Sequence, residues 1–540
     1  MKRHRRLRTA WTVAGLFSLV GLFSGMVYGA DEPVKTDTGL VAGQRVGDGD
    51  SVRAYKGIPY AAPPVGPMRW QPPKPPAAWQ GVRDCTQFGP ACPQAPYPAG
   101  SVYARDPEPQ SEDCLYLNVW TAAERPDEKR PVMVWIHGGA LTRGSGAIPA
   151  YDGTQLASKG VVLVTLNYRL GPFGYFAHPA LSQESPEGAS GNYGVLDQIA
   201  ALQWVQRNIR AFGGDPNRVT IFGESAGSWS VCALLATPLS KGLVHRAIGQ
   251  SGGCFAPMPH LKAKQHGLPS AEQQGEELAE LLGCDEADDP LTAMRATTAD
   301  ELLTAVAKAP SQGRRRACVD GWVFPDEILD IYAAGKQADV PVLVGSNADE
   351  GTSLAGHQVP DSMERFLEAT KAKYGDLTDR FFGVYPVASD SDVRDAFLHS
   401  IRDEWFTWQM RTWARLTAKS GANAYLYYFT RVPPLENRQQ LGAYHAAEIV
   451  YVFDNLAKTE WALEPADEKL ADTLSSCWVR FATTGDPNGP GLPQWAPYDS
   501  ETMPYLEFGD TIRPGTKLLD AECDFVEAYI ATQRTGDAGQ

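Results

Sequence analysis

Residues 212–227 read FGGDPNRVTIFGESAG, and SWSVCALLATP follows at 228–238. The run VTIF, 219–222, is apolar and β-prone, and the residues after Gly227 keep a helical pattern. Between them lies Gly223-Glu224-Ser225-Ala226-Gly227, a G-x-S-x-G at a strand-to-helix turn. A serine hydroxyl is a poor nucleophile unless it is exposed, oriented and relieved of its proton. A sharp turn exposes it, flanking glycines let neighbouring backbone approach, and the helix N-terminus favours developing negative charge. Ser225 is the candidate nucleophile.

Working outward, other apolar runs of strand length stand at 131–137 (PVMVWIH), 161–168 (VVLVTLNY) and 340–344 (VPVLV). Continuous apolar runs suit strands covered on both faces. Residues 194–212 (GVLDQIAALQWVQRNIRAF) carry apolar positions at three- and four-residue spacing and predict a helix. Alternation of strands and helices predicts an α/β fold: a large, mostly parallel central sheet with helices on both faces. Together with the turn at Ser225 this is the α/β-hydrolase fold. Residues 257–312 read as a helical insertion over the sheet, and Arg314-Arg315-Arg316 as a solvated loop.

The chemistry needs three further parts. Backbone N–H groups must meet the oxyanion of a tetrahedral intermediate. His137-Gly138-Gly139-Ala140 follows a strand directly and is of the loop type that supplies such donors, with Ala226 adding one more. An acid and a histidine should follow the serine in that order. Asp349 and Glu350 both lie just past the strand at 340–344, and local physics does not choose between them. His445, in the loop-like GAYHAAE at 442–448, is favoured as base over His357 and over His399, which sits in a helical run. An unperturbed imidazole would set an acid limb near pH ~6–7. A base so late in the chain must fold back onto Ser225. Residues 30–540 are therefore read as one domain, although length alone predicts roughly three.

The N-terminus is different in kind. Five basic residues among the first eight precede an apolar stretch from Trp11 to Val27, with Gly29 and Ala30 before a polar run. This reads as a signal peptide, 1–29, cleaved after Gly29 or alternatively after Ala30. The expected location is secreted or periplasmic, without a stable membrane anchor. The net charge of −15 offers no basic stripe for nucleic acid. Nine cysteines leave at least one without an intramolecular partner. No Cys-x-x-Cys occurs and the histidines are scattered, so neither metal nor cofactor is expected. The expected partner is a small-molecule ester.

These residues together resemble the type-B carboxylesterase/lipase family, which includes bacterial secreted carboxylesterases and the cholinesterases. The resemblance rests on YKGIPYAAPPVGPMRW (55–70), SEDCLYLNVW (111–120), VWIHGGA (134–140), the segment 212–227, GSNADEG (345–351) and HAAEIVYVF (445–453). It implies a triad of Ser225, Glu350 and His445, and oxyanion donors Gly139, Ala140 and Ala226. It further implies a disulfide between Cys92 and Cys114 and an ion pair between Arg69 and Glu112. The family's second disulfide looks broken: Cys284 matches one half, and is left free or paired elsewhere, for example with Cys254. Cholinesterases carry a tryptophan in the first disulfide loop. Here that loop has Tyr97 and Tyr103 and no Trp, which argues against choline and for uncharged carboxylic esters. A lipase or amidase on the same triad is the alternative. A non-catalytic binding member of the fold would be expected to have lost the nucleophile.

Overall fold

The computed structural model describes residues 32–309, 317–436 and 438–535. The signal-peptide reading and the Arg314–Arg316 loop lie outside these residues. Pro33–Gln540 group as one unit.

The four expected strands form where the apolar runs are. Arg130–Ile136, Val162–Leu166 and Val342–Asn347 are buried almost throughout, and VTIF is the inner part of a longer strand, Gly214–Glu224. β-branched residues in such runs pack well on a pleated surface from both sides. With Arg246–Gln250, Ala424–Phe429 and Pro504–Phe508 they make seven strands joined by parallel pairings. The full order is 512–516, 504–508, 424–429, 342–347, 246–250, 214–224, 130–136, 162–166, 116–121, 52–59 and 44–46. Four antiparallel strands thus flank the parallel centre, one on one side and three on the other. A small second sheet joins 34–35, 40–42 and 82–84.

The predicted helix is observed as Tyr193–Asn208, continued by a tighter turn over Ile209–Phe212. Gly213 ends it at φ 82°, a left-handed conformation that costs glycine little. The insertion at 257–312 contains helices Ala271–Leu281, Pro290–Ala296 and Ala299–Lys308. A second helical block lies between the strands at 342–347 and 424–429. Its helices are Met363–Tyr374, Thr378–Val384, Asp390–Arg402 and Trp408–Ser420. Among the described residues no helix is long and apolar enough to cross a membrane.

Two disulfides are present, Cys92–Cys114 and Cys232–Cys254. Each spans 22 residues, a closure that removes about 3 kcal/mol of unfolded-chain entropy in the loop model. The second decides between the two alternatives for Cys284: Cys254 is taken by Cys232, and Cys284 is a buried free thiol. Arg69 meets Glu112 with Nε 2.7 Å from Oε2, and also donates to the Thr297 carbonyl at 2.7 Å. The first disulfide loop and the helical insertion are thereby tied to one guanidinium.

Parallel strands end on a common edge. Ile136, Glu224, Gln250 and Asn347 are the last residues of four of them. The loops that leave this edge carry His137–Ala140, Ser225 and Asp349–Glu350. Crevices beyond strand carboxyl ends are where open α/β sheets bind ligands.

Candidate active site

Strand Gly214–Glu224 runs directly into Ser225, which turns the chain at φ 56° and ψ −122° before helix Ala226–Ala236. A non-glycine residue in such a region costs on the order of 1–3 kcal/mol and persists only where its surroundings hold it. Here the Ser225 N–H donates to the Gln250 carbonyl at 2.8 Å. A β-carbon on Gly227 would stand 1.9 Å from the Ile136 carbonyl oxygen, so only glycine lets the helix start so close to the next strand.

That strand, Arg130–Ile136, leads into the glycine loop. Gly139 and Ala140 both have positive φ, 104° and 56°. The Tyr168 hydroxyl donates to the His137 carbonyl at 2.8 Å, and the N–H groups of Thr142 and Arg143 both donate to the Gly139 carbonyl at 3.0 Å. These bonds fix the loop through its carbonyls. No acceptor among the described residues takes the N–H of Gly139, Ala140 or Ala226. Fixed N–H groups without internal partners can serve a developing oxyanion without reorganising.

Glu350 and Asp349 are neighbours with different contacts. Glu350 is fully buried, accepts from the Asn347 N–H at 2.8 Å, and lies with Oε2 2.6 Å from His445 Nδ1. Asp349 instead accepts from the Ala443 N–H at 2.8 Å, and its own N–H donates to the Ala443 carbonyl at 3.0 Å. One carboxylate addresses the imidazole; the other pins the loop that carries it. Tyr103 steadies the same loop by donating to the His445 carbonyl at 2.8 Å.

Ser225, His445, Gly138, Gly139 and Ala140 line one cavity of about 520 Å³. Of the expected triad and oxyanion residues, Ser225, His445, Gly139 and Ala140 are on its wall, Glu350 contacts His445 and Ala226 follows Ser225, while the Cys92–Cys114 disulfide lies off it. Sequence reasoning missed several others. Glu224, the variable residue of the serine motif, is buried with Oε1 3.1 Å from His445 Nε2. Glu448, three residues past His445, accepts from Gln250 Nε2 at 3.0 Å and Asn347 Nδ2 at 2.6 Å. Arg105 and Arg143 line the cavity beside Tyr97.

Burial is the largest influence on His445 and pushes its pKa down. The charges of Glu224 and Glu350, with the Glu350 hydrogen bond, push it up by more, and the net shift is upward from the ordinary 6.5. A base must be neutral, so a raised pKa keeps it protonated to higher pH. The acid limb of kcat/KM is therefore expected above pH ~6.5, higher than the unperturbed reading. Glu224→Gln removes one of three carboxylates that raise it, Glu448 being the third, and should move that limb to lower pH. A wild-type limb at or below pH ~6, unmoved by the substitution, would contradict this electrostatic picture.

Residues 30–526 match the family model described as the carboxylesterase family. The chain belongs to that family. It is 38% identical over 533 residues to the fumonisin B1 esterase of Sphingopyxis macrogoltabida, covering 95% of this chain and 93% of the relative. The para-nitrobenzyl esterase of Bacillus subtilis (strain 168) is 37% identical over 475 residues, 85% of this chain and 91% of its own length. A solved structure titled PNB esterase superposes with a TM-score of 0.77 at 33% identity, covering 92% of this chain and 99% of its own. This carboxylesterase-family chain has the α/β-hydrolase fold and is a carboxylic ester hydrolase.

Proposed function

We propose that the protein is an exported serine esterase that works through an acyl-enzyme on esters carrying no cationic group. The observation that carries the mechanism is the 2.6 Å contact of Glu350 with His445 Nδ1 beside Ser225 in one cavity. Glu350 fixes the imidazole with its proton on Nδ1, and Nε2, which faces Glu224 Oε1 at 3.1 Å before substrate binds, takes the Ser225 proton as Oγ attacks the ester carbonyl. The carbonyl oxygen becomes an oxyanion facing Gly139, Ala140 and Ala226. Collapse expels the alcohol, which receives the proton from Nε2 and leaves the acyl group on Ser225. Water, deprotonated by the same nitrogen, then releases the acid and restores the serine. Residues 30–540 act as one domain in this reading, and 1–29 are the export signal. The two disulfides favour an oxidising compartment.

The substrate reading rests on Tyr97. The guanidinium carbons of Arg105 and Arg143 lie 5.1 and 5.4 Å from its ring centroid. The aromatic face is thus engaged by the protein's own cations, and a quaternary ammonium would have to displace them. A free aromatic face is worth about 0.5–2 kcal/mol to such a group. The expected result is a kcat/KM at least about tenfold higher for a neutral isostere than for the choline ester of the same acid, at moderate salt. A burst of released alcohol should precede the steady state on an activated aryl ester. A preference for choline would overturn the substrate reading, and a burst-free time course with trapping of no acyl-enzyme would overturn the mechanism.

A further inference from the structure

We propose that His260, His266 and Glu327 form a binding site for one divalent transition-metal ion of the zinc type. Sequence spacing hides this group, because the histidines sit in one insertion and the glutamate far along the chain. The fold gathers them: one ligand atom from each lies within 4.8 Å of the others. Two imidazoles and a carboxylate are a donor set that zinc and its neighbours accept.

The two distances fit a ligand cluster as well as an ion pair. His260 Nε2 is 3.3 Å and His266 Nε2 is 3.5 Å from the same oxygen, Glu327 Oε1. Charge-assisted hydrogen bonds to a carboxylate run shorter, about 2.7–2.9 Å. Metal bonds of about 2.0–2.1 Å in a tetrahedron place neighbouring donor atoms about 3.3–3.4 Å apart. Both nitrogens therefore stand from the oxygen at nearly the edge length of a tetrahedral site.

The surroundings suit a bound cation. The side chains of His266 and Glu327 are 6% and 4% exposed, while His260 at 22% leaves a way in. Glu327 already accepts from the Met258 N–H, 3.4 Å from Oε1 and 3.3 Å from Oε2. Arg534 Nη1 is 4.0 Å from the other oxygen, Oε2, and its Nη2 is bound to Asp330 at 2.6 Å. The Gln265 amide, 3.3 Å from His266 Nε2, is the group an ion would displace.

The backbone holds the donors on separate segments. Leu261 N–H donates to the Val319 carbonyl at 2.9 Å, and Val319 N–H to the Pro259 carbonyl at 3.0 Å. Glu327 immediately precedes helix Ile328–Ala333. An ion here would staple the loop that leaves strand Arg246–Gln250 to the segment at 317–328, a structural role that takes no part in acyl transfer.

The test uses the whole protein, dialysed against a chelator and then titrated with Zn²⁺ by calorimetry and with Co²⁺ by visible absorption. One Zn²⁺ per chain should bind, raise the unfolding midpoint, and give with Co²⁺ the intense absorption of a tetrahedral centre. Mg²⁺, which prefers six oxygens, should do neither. Glu327→Gln and His266→Ala should weaken Zn²⁺ binding by roughly 10–100-fold or more. His260→Gln, at the exposed edge, is the variant least disturbing to folding and should show the same loss with an unchanged circular dichroism spectrum. No uptake by the wild type with zinc in large excess, or uptake that all three variants retain, would overturn the site and leave a histidine–glutamate ion pair.

Discussion

Ser225→Ala is expected to lose on the order of 10⁴-fold or more in kcat while the protein stays folded. The methyl group fits wherever the hydroxymethyl did, and the bond that holds the turn comes from the Ser225 backbone N–H to Gln250. What disappears is the atom that carries the acyl group in the proposed mechanism. Residual hydrolysis comes from water in the same cavity, assisted by the N–H groups of Gly139, Ala140 and Ala226. An organophosphate should label Ser225 in the wild type and no serine in the variant, read by peptide mass. Activity that survives the substitution, or a label on another serine, removes Ser225 from the role.

Glu350→Gln is the second large effect, about 10³–10⁴-fold in kcat, by the precedent that an amide in this position holds the wrong imidazole tautomer. An amide keeps the shape but offers N–H where His445 Nδ1 needs an acceptor. Asp349→Asn is the matched control. Asp349 touches the backbone of Ala443 and not the imidazole, so its loss should cost about 1–2 kcal/mol of stability and leave kcat nearly unchanged. Measuring kcat and the unfolding midpoint for both variants separates the two carboxylates. Equal losses in kcat, or the larger loss at Asp349, would assign the acid wrongly.

Four central strands were legible because burial on both faces writes them as unbroken apolar runs, whereas 246–250, 424–429 and 504–508 in the same parallel sheet were not read. The turn at Ser225 was legible because the chemistry needs glycine on both sides of it. The choice of Glu350 over Asp349 was not legible locally. Adjacent residues share a strand end, and only the return of the chain at 442–445 decides which one meets the imidazole. Glu224 lay inside the motif itself, yet its approach to His445 depends on a loop far along the chain. Cysteine connectivity is likewise a property of the fold, and the partner suggested for Cys284 was already bound to Cys232. The cluster of His260, His266 and Glu327 has no spacing signature, since its members arrive on separate segments.

The two guanidiniums stacked on Tyr97 have a bearing on the end of the catalytic cycle. Hydrolysis of an ester leaves a carboxylate ion inside walls that carry Arg105 and Arg143. The alcohol departs without noticing them, but the acid leaves against an attraction that it did not feel as an ester. On the proposed mechanism these arginines are expected to slow departure of the product anion, and added salt, by screening them, is expected to raise kcat in a salt titration.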